Sequence, residues 1–219
     1  MSSEFITHLI YFLGMLLLIT SFGIIASPLL LACIRFFAMN SFLLSLITLA
    51  IAYQYHLGHL AISALLIFIL KVIAIPQIFS AIIRRLGIRR EVESYINIPL
   101  SLFLAVVLVF ISFYITSGEK PLNPLSSLKF LPIAIATIFL GMFVMTTRKK
   151  AITQVLGLLL MENGLFLLGI TMTFGMPLLV ELGILFDVLI GIIIMGIFIF
   201  KIRSAFEGIE ADNMTVLKG

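Results

Sequence analysis

The sequence has few charged residues and a single cysteine. Only 11% of its 219 residues are charged and 62% are hydrophobic, whereas soluble domains are roughly 25% charged. This composition excludes an ordinary soluble protein and indicates an integral membrane protein. One cysteine, Cys33, excludes an internal disulfide and a thiolate metal site. Its apolar neighbours favour a packing role.

Several motifs that carry chemistry are also missing. The sequence contains no phosphate-binding loop, dinucleotide fingerprint, haem motif or cysteine cluster. We therefore expect the chain to hold no cofactor and no redox site of its own. His8, His56 and His59 lie near a predicted membrane boundary, and without a third ligand they favour an interfacial role over a metal site.

Long apolar runs dominate what is present. Continuous apolar runs of about twenty residues predict helices, because a membrane β-barrel shows shorter segments of alternating character. Seven spans are predicted, at about 6–28, 33–53, 60–83, 95–117, 129–147, 152–174 and 178–201. Six spans are the alternative, since Pro28 and Arg35 alone interrupt the stretch 6–53. The predicted fold is all-α and polytopic, with the first run retained as a membrane helix because 1–4 lack a basic signal-peptide region.

The distribution of basic residues predicts the orientation. Of the 14 Lys and Arg, only Lys120 and Lys129 follow even-numbered spans, and Lys71 lies inside a span. This bias predicts an external N-terminus and a cytoplasmic C-terminus. A nucleic-acid surface is disfavoured because the basic residues are divided among short loops. The residues after odd-numbered spans are Arg35, Arg84, Arg85, Arg89, Arg90, Arg148, Lys149, Lys150, Lys201, Arg203 and Lys218.

The chain shows a faint internal repeat. FILKVIAIPQIFSAIIRRL, from Phe68, aligns without gaps with ILFDVLIGIIIMGIFIFKI, from Ile184, and pairs Lys71 with Asp187. We therefore predict a three-helix segment at 1–93, a connector helix and outer loop at 94–128, a second three-helix unit at 129–203 and a short tail at 204–219. The termini are too short for a soluble catalytic domain.

Three ionisable residues fall deep inside predicted spans: Lys71, Glu162 and Asp187. A helix rise of about 1.5 Å per residue places each of them about 14 to 17 Å from a membrane face. A charge at this depth costs roughly 2.5 to 3.5 kcal/mol on insertion scales, so each needs a partner or a function. Their common depth favours a lateral proton relay. The alternative is a structural ion-pair network that fixes the helices.

The physical basis of a relay is burial. Apolar surroundings disfavour the charged form of both an acid and a base, so that the two groups approach each other in proton affinity and can exchange a proton. Pro76 is expected to kink the helix beside Lys71, and Asn163 is expected to form interhelical hydrogen bonds. Glu181 lies near the outer end of the seventh span, where a solvated carboxylate is favoured over a relay entrance.

Several segments resemble a known family. QVLGLLLMENGLFLLG, PLLVELGILFDVLIG and ADNMTVLKG together resemble hydrogenase-4 component E, a membrane subunit of formate hydrogenlyase-type complexes. The likeness covers essentially the whole chain and includes the lysine segment FILKVIAIP. Spans five to seven also resemble the K subunit of bacterial respiratory complex I. Glu162 and Asp187 fall where that subunit has its two membrane glutamates, and Asp187 departs from it by being an aspartate.

The resemblance implies a subunit of a membrane-bound [NiFe]-hydrogenase complex. The implied location is a prokaryotic cytoplasmic membrane. The implied partners are antiporter-like membrane subunits, a membrane protein similar to the H subunit of complex I, and peripheral subunits that hold the nickel–iron centre and iron–sulfur clusters. Glu162, Asp187 and Lys71 would then serve the translocation of protons or Na⁺. The alternatives are a subunit of a multi-subunit cation/proton antiporter without redox partners, a structural scaffold and, least favoured, a stand-alone transporter.

Overall fold

The computed structural model describes residues 3–85, 92–118 and 130–173, together with the isolated positions Gly183 and Gly191. Ser94 and Arg148 form an isolated β-bridge, and the described elements are helices joined by short turns and loops. They form α1 (Ser3–Ala26), α2 (Leu30–Tyr55), α3 (Gly58–Ile67), a π-helical segment (Phe68–Ala74), α4 (Ile75–Arg85), α5 (Ile98–Thr116), α6 (Phe130–Thr147) and α7 (Ala151–Thr173).

Within the described residues, six helices are long and apolar enough to cross a membrane. They correspond to the first six predicted spans, and α3, the π-helical segment and α4 together make the third crossing. The seventh predicted span, at 178–201, lies outside the described residues, and the orientation remains a prediction. The six are Phe5–Ala26, Leu30–Tyr55, Gly58–Arg84, Ile98–Thr116, Phe130–Thr147 and Ala151–Met172.

The first long apolar stretch is two helices. Pro28 lies between α1 and α2, where its missing N–H and fixed φ do not suit the interior of a helix. The Ser27 hydroxyl donates to the Gly23 carbonyl at 2.7 Å and so satisfies a carbonyl in the last turn of α1. The prediction of a helix boundary near Pro28 is confirmed.

The third crossing changes its winding in the middle of its length. Over Phe68–Ala74 the helix is π-helical, and the N–H of Ile75 donates to the Leu70 carbonyl, five residues back. Pro76 follows at once and has no N–H to continue the ladder. The helix therefore has a wider turn that contains Lys71, and the kink expected from Pro76 remains a prediction.

The helices form a bundle around α1, α2, α6 and α7. The α1–α2 and α6–α7 hairpins pack together through contacts of α1 with α6 and of α2 with α7, and the π-helical segment packs on α2. The connector helix α5 packs on α6 and α1 from outside. Its outer face is apolar and exposed, with Phe110 and Tyr114 75% and 81% exposed, as expected for a surface that faces lipid.

Glycines allow α6 and α7 to approach with their backbones in contact. A Cβ added at Gly141 of α6 would lie 2.4 Å from the backbone nitrogen of Met161, and one at Gly157 of α7 would lie 2.8 Å from that of Met145. Small residues at such contacts are a common basis of helix association in membranes, where van der Waals packing replaces the hydrophobic effect. This close pair holds the segment of α7 that contains Glu162.

One end of the bundle is closed by hydrogen bonds between loops. The N–H of Tyr95 donates to the Thr147 carbonyl at 2.9 Å, and the N–H of Lys149 donates to the Glu93 carbonyl at 3.0 Å. The N–H of Val92 donates to the Pro28 carbonyl at 2.8 Å. The segments that follow the first, third and fifth spans therefore lie at the same end, as the predicted spans require.

Arg148 fixes this end to α1. The residue is 5% exposed, and its guanidinium donates to the carbonyls of Ile25 at 2.6 Å and Ile24 at 3.4 Å, in the last turn of α1. A cation at the C-terminus of a helix also interacts favourably with the helix dipole. Burial lowers the pKa of Arg148, and nearby Cys33 acts in the opposite direction. Sequence reasoning treated Arg148 only as an orientation signal and missed this structural role.

Candidate functional site

A buried ion pair lies at the centre of the helical bundle. Lys71 Nζ is 3.0 Å from Glu162 Oε1, and the two side chains are 3% and 8% exposed. Lys71 comes from the π-helical segment of the third crossing and Glu162 from α7. The two residues therefore lie at one level, as their predicted depths require, and within the described part of the chain Glu162 is an acid in direct contact with Lys71.

Lys71 has a second partner on α7. Its ammonium donates to the Asn163 Oδ1 at 3.1 Å, and Asn163 is completely buried. The carboxylate and amide oxygens of two consecutive residues thus hold one ammonium group. An ammonium has three donors and no acceptor, so both oxygens match what it requires. The interhelical hydrogen bonding that we expected of Asn163 is present.

From Asn163, a chain of polar groups extends to α2. The Asn163 Nδ2 donates to Asn40 Oδ1 and to Ser41 Oγ, both at 3.0 Å, and both partners are completely buried. These contacts join α7 to the middle of α2. Buried polar groups in a membrane need such partners because the bilayer core has no water to satisfy them.

The chain ends on α1. The Asn40 Nδ2 lies 2.9 Å from the Leu17 carbonyl and 3.0 Å from each of the Thr20 and Ser21 hydroxyl oxygens. Thr20 and Ser21 themselves donate to the Leu17 carbonyl, at 2.8 and 2.9 Å. One polar chain therefore connects α1, α2, α7 and the third crossing through the interior of the bundle.

Sequence reasoning found one end of this chain and missed the other. It identified Lys71, Glu162 and Asn163, which the structure brings together. It overlooked Asn40, although an asparagine in the middle of a predicted span meets the same criterion that identified Asn163. Ser41, Thr20 and Ser21 gave no signal, because membrane helices commonly contain hydroxyl side chains that donate to their own backbone.

The remaining predicted site residues have different positions. Pro76 lies in the first turn of α4, five residues after Lys71, and does not itself contribute a polar group to the chain. Asp187 and Glu181 lie outside the described residues, so their roles remain predictions. In the part of the chain that the structure describes, no group of three or more His, Cys, Asp and Glu side chains is arranged to hold a metal ion.

The pair is suited to exchanging a proton. The ammonium nitrogen and the carboxylate oxygen form an ion pair with a separation of 3.0 Å, a distance that a proton can cross. Transfer from Lys71 to Glu162 converts two charges into two neutral groups, and burial in apolar surroundings reduces the difference in free energy between these states. Buried ionisable groups in membrane helices typically belong to ion or proton pathways.

Together, the six described crossings and the buried pair define a multi-pass helical membrane protein with an ionisable site inside its bundle. The chain belongs to the family of an uncharacterized protein of Mycobacterium tuberculosis, Rv0085. The two are 31% identical over 150 residues, which is 68% of each chain.

Hydrogenase-4 component E is a more distant relative over a greater length. The chain is 27% identical to the proteins of that name from Escherichia coli and Shigella flexneri over 207 residues, which is 94% of this chain and 95% of theirs. This likeness supports the resemblance to hydrogenase-4 component E at a distant level. No protein-family model and no solved structure matches the chain.

Proposed function

We propose that this chain is a membrane subunit of a hydrogenase-4-type complex and that its Lys71–Glu162 pair takes part in ion translocation driven by redox chemistry on other subunits. The observation that carries the proposal is the buried contact of 3.0 Å between these two side chains. The likeness to hydrogenase-4 component E over 94% of the chain supports the assignment to such a complex.

The proposed step is a proton exchange within the pair. In one state Lys71 is an ammonium and Glu162 a carboxylate. In the other the proton has moved to Glu162 and both groups are neutral. A partner protein could transmit a conformational change to this site. If that change admitted water or a further charge, it would alter the relative free energies of these two states. Protons are favoured over Na⁺ because the Lys71 ammonium already occupies the place beside the Glu162 carboxylate where a cation would bind.

The π-helical segment supports this function. Lys71 lies in its centre, and the hydrogen-bond ladder is interrupted just beyond it, at Pro76. Short π-helical segments occur frequently at functional sites, because their weaker ladder can change at a modest cost in free energy. A small rearrangement of this segment would move the Lys71 ammonium relative to Glu162.

The rest of the pathway belongs to the same proposal. Asp187 supplies a second carboxylate, and the pathway continues into antiporter-like subunits and a membrane protein similar to the H subunit of complex I. Peripheral subunits hold the nickel–iron centre and the iron–sulfur clusters, so this chain translocates without redox chemistry of its own. The complex lies in the cytoplasmic membrane of a prokaryote, with Glu181 near the external surface.

The experiment that tests the proposal is a purification of the tagged chain in mild detergent, with mass spectrometry and with nickel and iron analysis of the eluate. We expect a [NiFe] large subunit, iron–sulfur proteins and antiporter-like chains. Recovery of small antiporter-type membrane chains without nickel or iron would overturn the redox assignment and favour gradient-driven cation exchange. Recovery of the chain alone, from cells that contain the hydrogenase, would overturn its membership of the complex.

A further inference from the structure

The orientation of the two buried amides is fixed at both ends of the polar chain. Lys71 can only donate as an ammonium, so Asn163 must turn its oxygen to the lysine and its nitrogen to Asn40. The Leu17 carbonyl can only accept, so Asn40 must turn its nitrogen to α1 and its oxygen to Asn163. The two requirements agree, and reversing one amide would place like groups against each other.

Asn40 and Asn163 occupy corresponding positions of α2 and α7. The two residues are 123 apart, and at this spacing most buried positions of α2 coincide with buried positions of α7. Both helices run in the same direction from the same end of the bundle, because Arg148 contacts the last turn of α1. The pairs of buried positions are 30 and 153, 33 and 156, 34 and 157, 37 and 160, 40 and 163, 41 and 164, 44 and 167, 47 and 170, and 48 and 171.

The same spacing relates α1 to α6. Pairs of positions that are both buried are 10 and 133, 13 and 136, 14 and 137, 17 and 140, 18 and 141, 21 and 144, and 24 and 147, and the buried pair 25 and 148 continues the relation one residue past α6. The two hairpins therefore bury equivalent faces. Residues of α2 and α7 that are 123 apart therefore lie at equal depth where the two helices touch. This explains why the side chains of Asn40 and Asn163 meet.

We propose that Asn163 and Asn40 are positioning residues, an amide arm anchored on α1 that holds the Lys71 ammonium against Glu162. Without the arm, Lys71 would keep the Glu162 carboxylate but lose the Asn163 oxygen to which its ammonium donates. The amides do not titrate, so the arm places the lysine and carries no proton. The importance of the arm for translocation rests on the proposed function, whereas its effect on Lys71 is measurable on this chain alone.

The test is the infrared carboxylate band of Glu162 in the purified, isotope-labelled chain in lipid nanodiscs. The band is identified by its loss in Glu162→Gln. Lys71→Met then gives the position of the band without an ammonium. The difference between the wild-type band and the Lys71→Met band is the full effect of the ammonium. We expect Asn163→Leu and Asn40→Leu each to displace the band from its wild-type position by about half of this difference or more, although Lys71 is still present. The reason is that a hydrogen bond to a charged group is a strong one.

The matched control is Thr137→Val. Thr137 is completely buried on α6, and its hydroxyl donates within its own helix, to the Ile133 carbonyl at 2.8 Å. This variant removes a buried hydroxyl that, among the described hydrogen bonds, does not belong to the polar chain. We therefore expect an unchanged band. A wild-type band in folded Asn163→Leu and Asn40→Leu would overturn the proposal, because it would mean that the amides only pack the helices.

A milder substitution decides the matter if Asn40→Leu does not fold. Ser41→Ala removes one acceptor of the Asn163 amide and leaves Lys71 and Glu162 in place. We expect a smaller displacement in the same direction, and an unchanged band would count against the arm. The outcome is separate from the proposed function, since the band is measured without hydrogenase subunits or ion flux. A displaced band together with normal translocation in Glu162→Gln would leave the arm in place and overturn the proposed function.

Discussion

Lys71 Nζ and Glu162 Oε1 are 3.0 Å apart, between the one π-helical segment of the described chain and the glycine-packed helix α7. The contact joins a segment with a weak hydrogen-bond ladder to a helix held tightly against α6. Movement is therefore expected on the lysine side of the pair. This relationship determines which substitutions should affect translocation and which should affect stability.

Glu162→Gln should abolish coupled ion translocation and preserve assembly. Glutamine has nearly the same shape and can still accept a hydrogen bond from Lys71, but it cannot take up the proton. We expect translocation in membrane vesicles to fall at least about tenfold, a change of 1.4 kcal/mol or more in the rate-limiting barrier. The amount of assembled complex, measured by native gel, should remain close to that of the wild type.

Glu93→Gln is the matched control for this substitution. Glu93 also pairs with a lysine, Lys150 at 3.3 Å, but its side chain is 53% exposed and lies at the end of the bundle. Surface ion pairs contribute little to stability. We therefore expect normal translocation and normal assembly. Unchanged translocation in Glu162→Gln would contradict the proposed function, and loss of assembly before any loss of translocation would favour a structural scaffold.

Lys71→Met should destabilise the chain more than the double replacement Lys71→Met with Glu162→Leu. The single variant leaves a buried carboxylate without its ammonium, which costs about 3 kcal/mol in soluble proteins, whereas replacement of a whole ion pair by apolar residues is often close to neutral. The measurement is thermal unfolding followed by fluorescence-detected size exclusion. Additive effects of the two substitutions would show that the pair does not couple the helices.

Much of this architecture could be predicted from the sequence. The helices follow from continuous apolar runs, because the bilayer requires every backbone polar group to be satisfied within a segment. Lys71 and Glu162 could be identified because charges in such runs are costly and therefore conspicuous. Their common depth followed from the helix rise, and the observed contact agrees with it.

The partners of these residues could not be predicted in the same way. Hydropathy gives the depth of a residue but not the rotation of its helix, so the sequence left open which acid faces Lys71. The chain from Asn163 through Asn40 to α1 depends on how two hairpins pack, and that packing depends on side-chain shape. Arg148 was inconspicuous because an arginine at the end of a span is also the ordinary signal for orientation.

Asp187→Asn should reduce translocation in the same way as Glu162→Gln. This prediction rests on the sequence, since Asp187 lies outside the described residues. In the predicted resemblance to the K subunit of complex I, Asp187 falls at a glutamate position, so we expect Asp187→Glu to retain translocation while the asparagine variant loses it. Vesicle assays with assembled complexes measure both. Equal activity in all three forms would exclude Asp187 from the pathway.

Gly141→Ala should separate α6 from α7 and displace Glu162. The added Cβ would lie 2.4 Å from the Met161 nitrogen and 2.7 Å from its Cα, and both are backbone atoms that cannot rotate away. We expect a lower unfolding temperature and reduced translocation, because Met161 directly precedes Glu162. Gly58→Ala is the control, since its Cβ would meet nothing within 4 Å. Equal stability of the two variants would show that the close approach does not hold the hairpin together.

Arg148→Met should lower the free energy of unfolding by about 2 kcal/mol, because it removes a charged donor from the carbonyls of Ile25 and Ile24 at the end of α1. Methionine retains much of the apolar stem, so the decrease in the free energy of unfolding measures the contribution of the guanidinium. The control is Lys149→Met: Lys149 is exposed and contacts the Tyr95 ring at 5.0 Å, a contact that contributes about 0.5 to 1 kcal/mol at most. Thermal unfolding of both variants gives the comparison. If Lys149→Met were the more destabilising change, the exposed loop contacts rather than the buried guanidinium would close this end of the bundle.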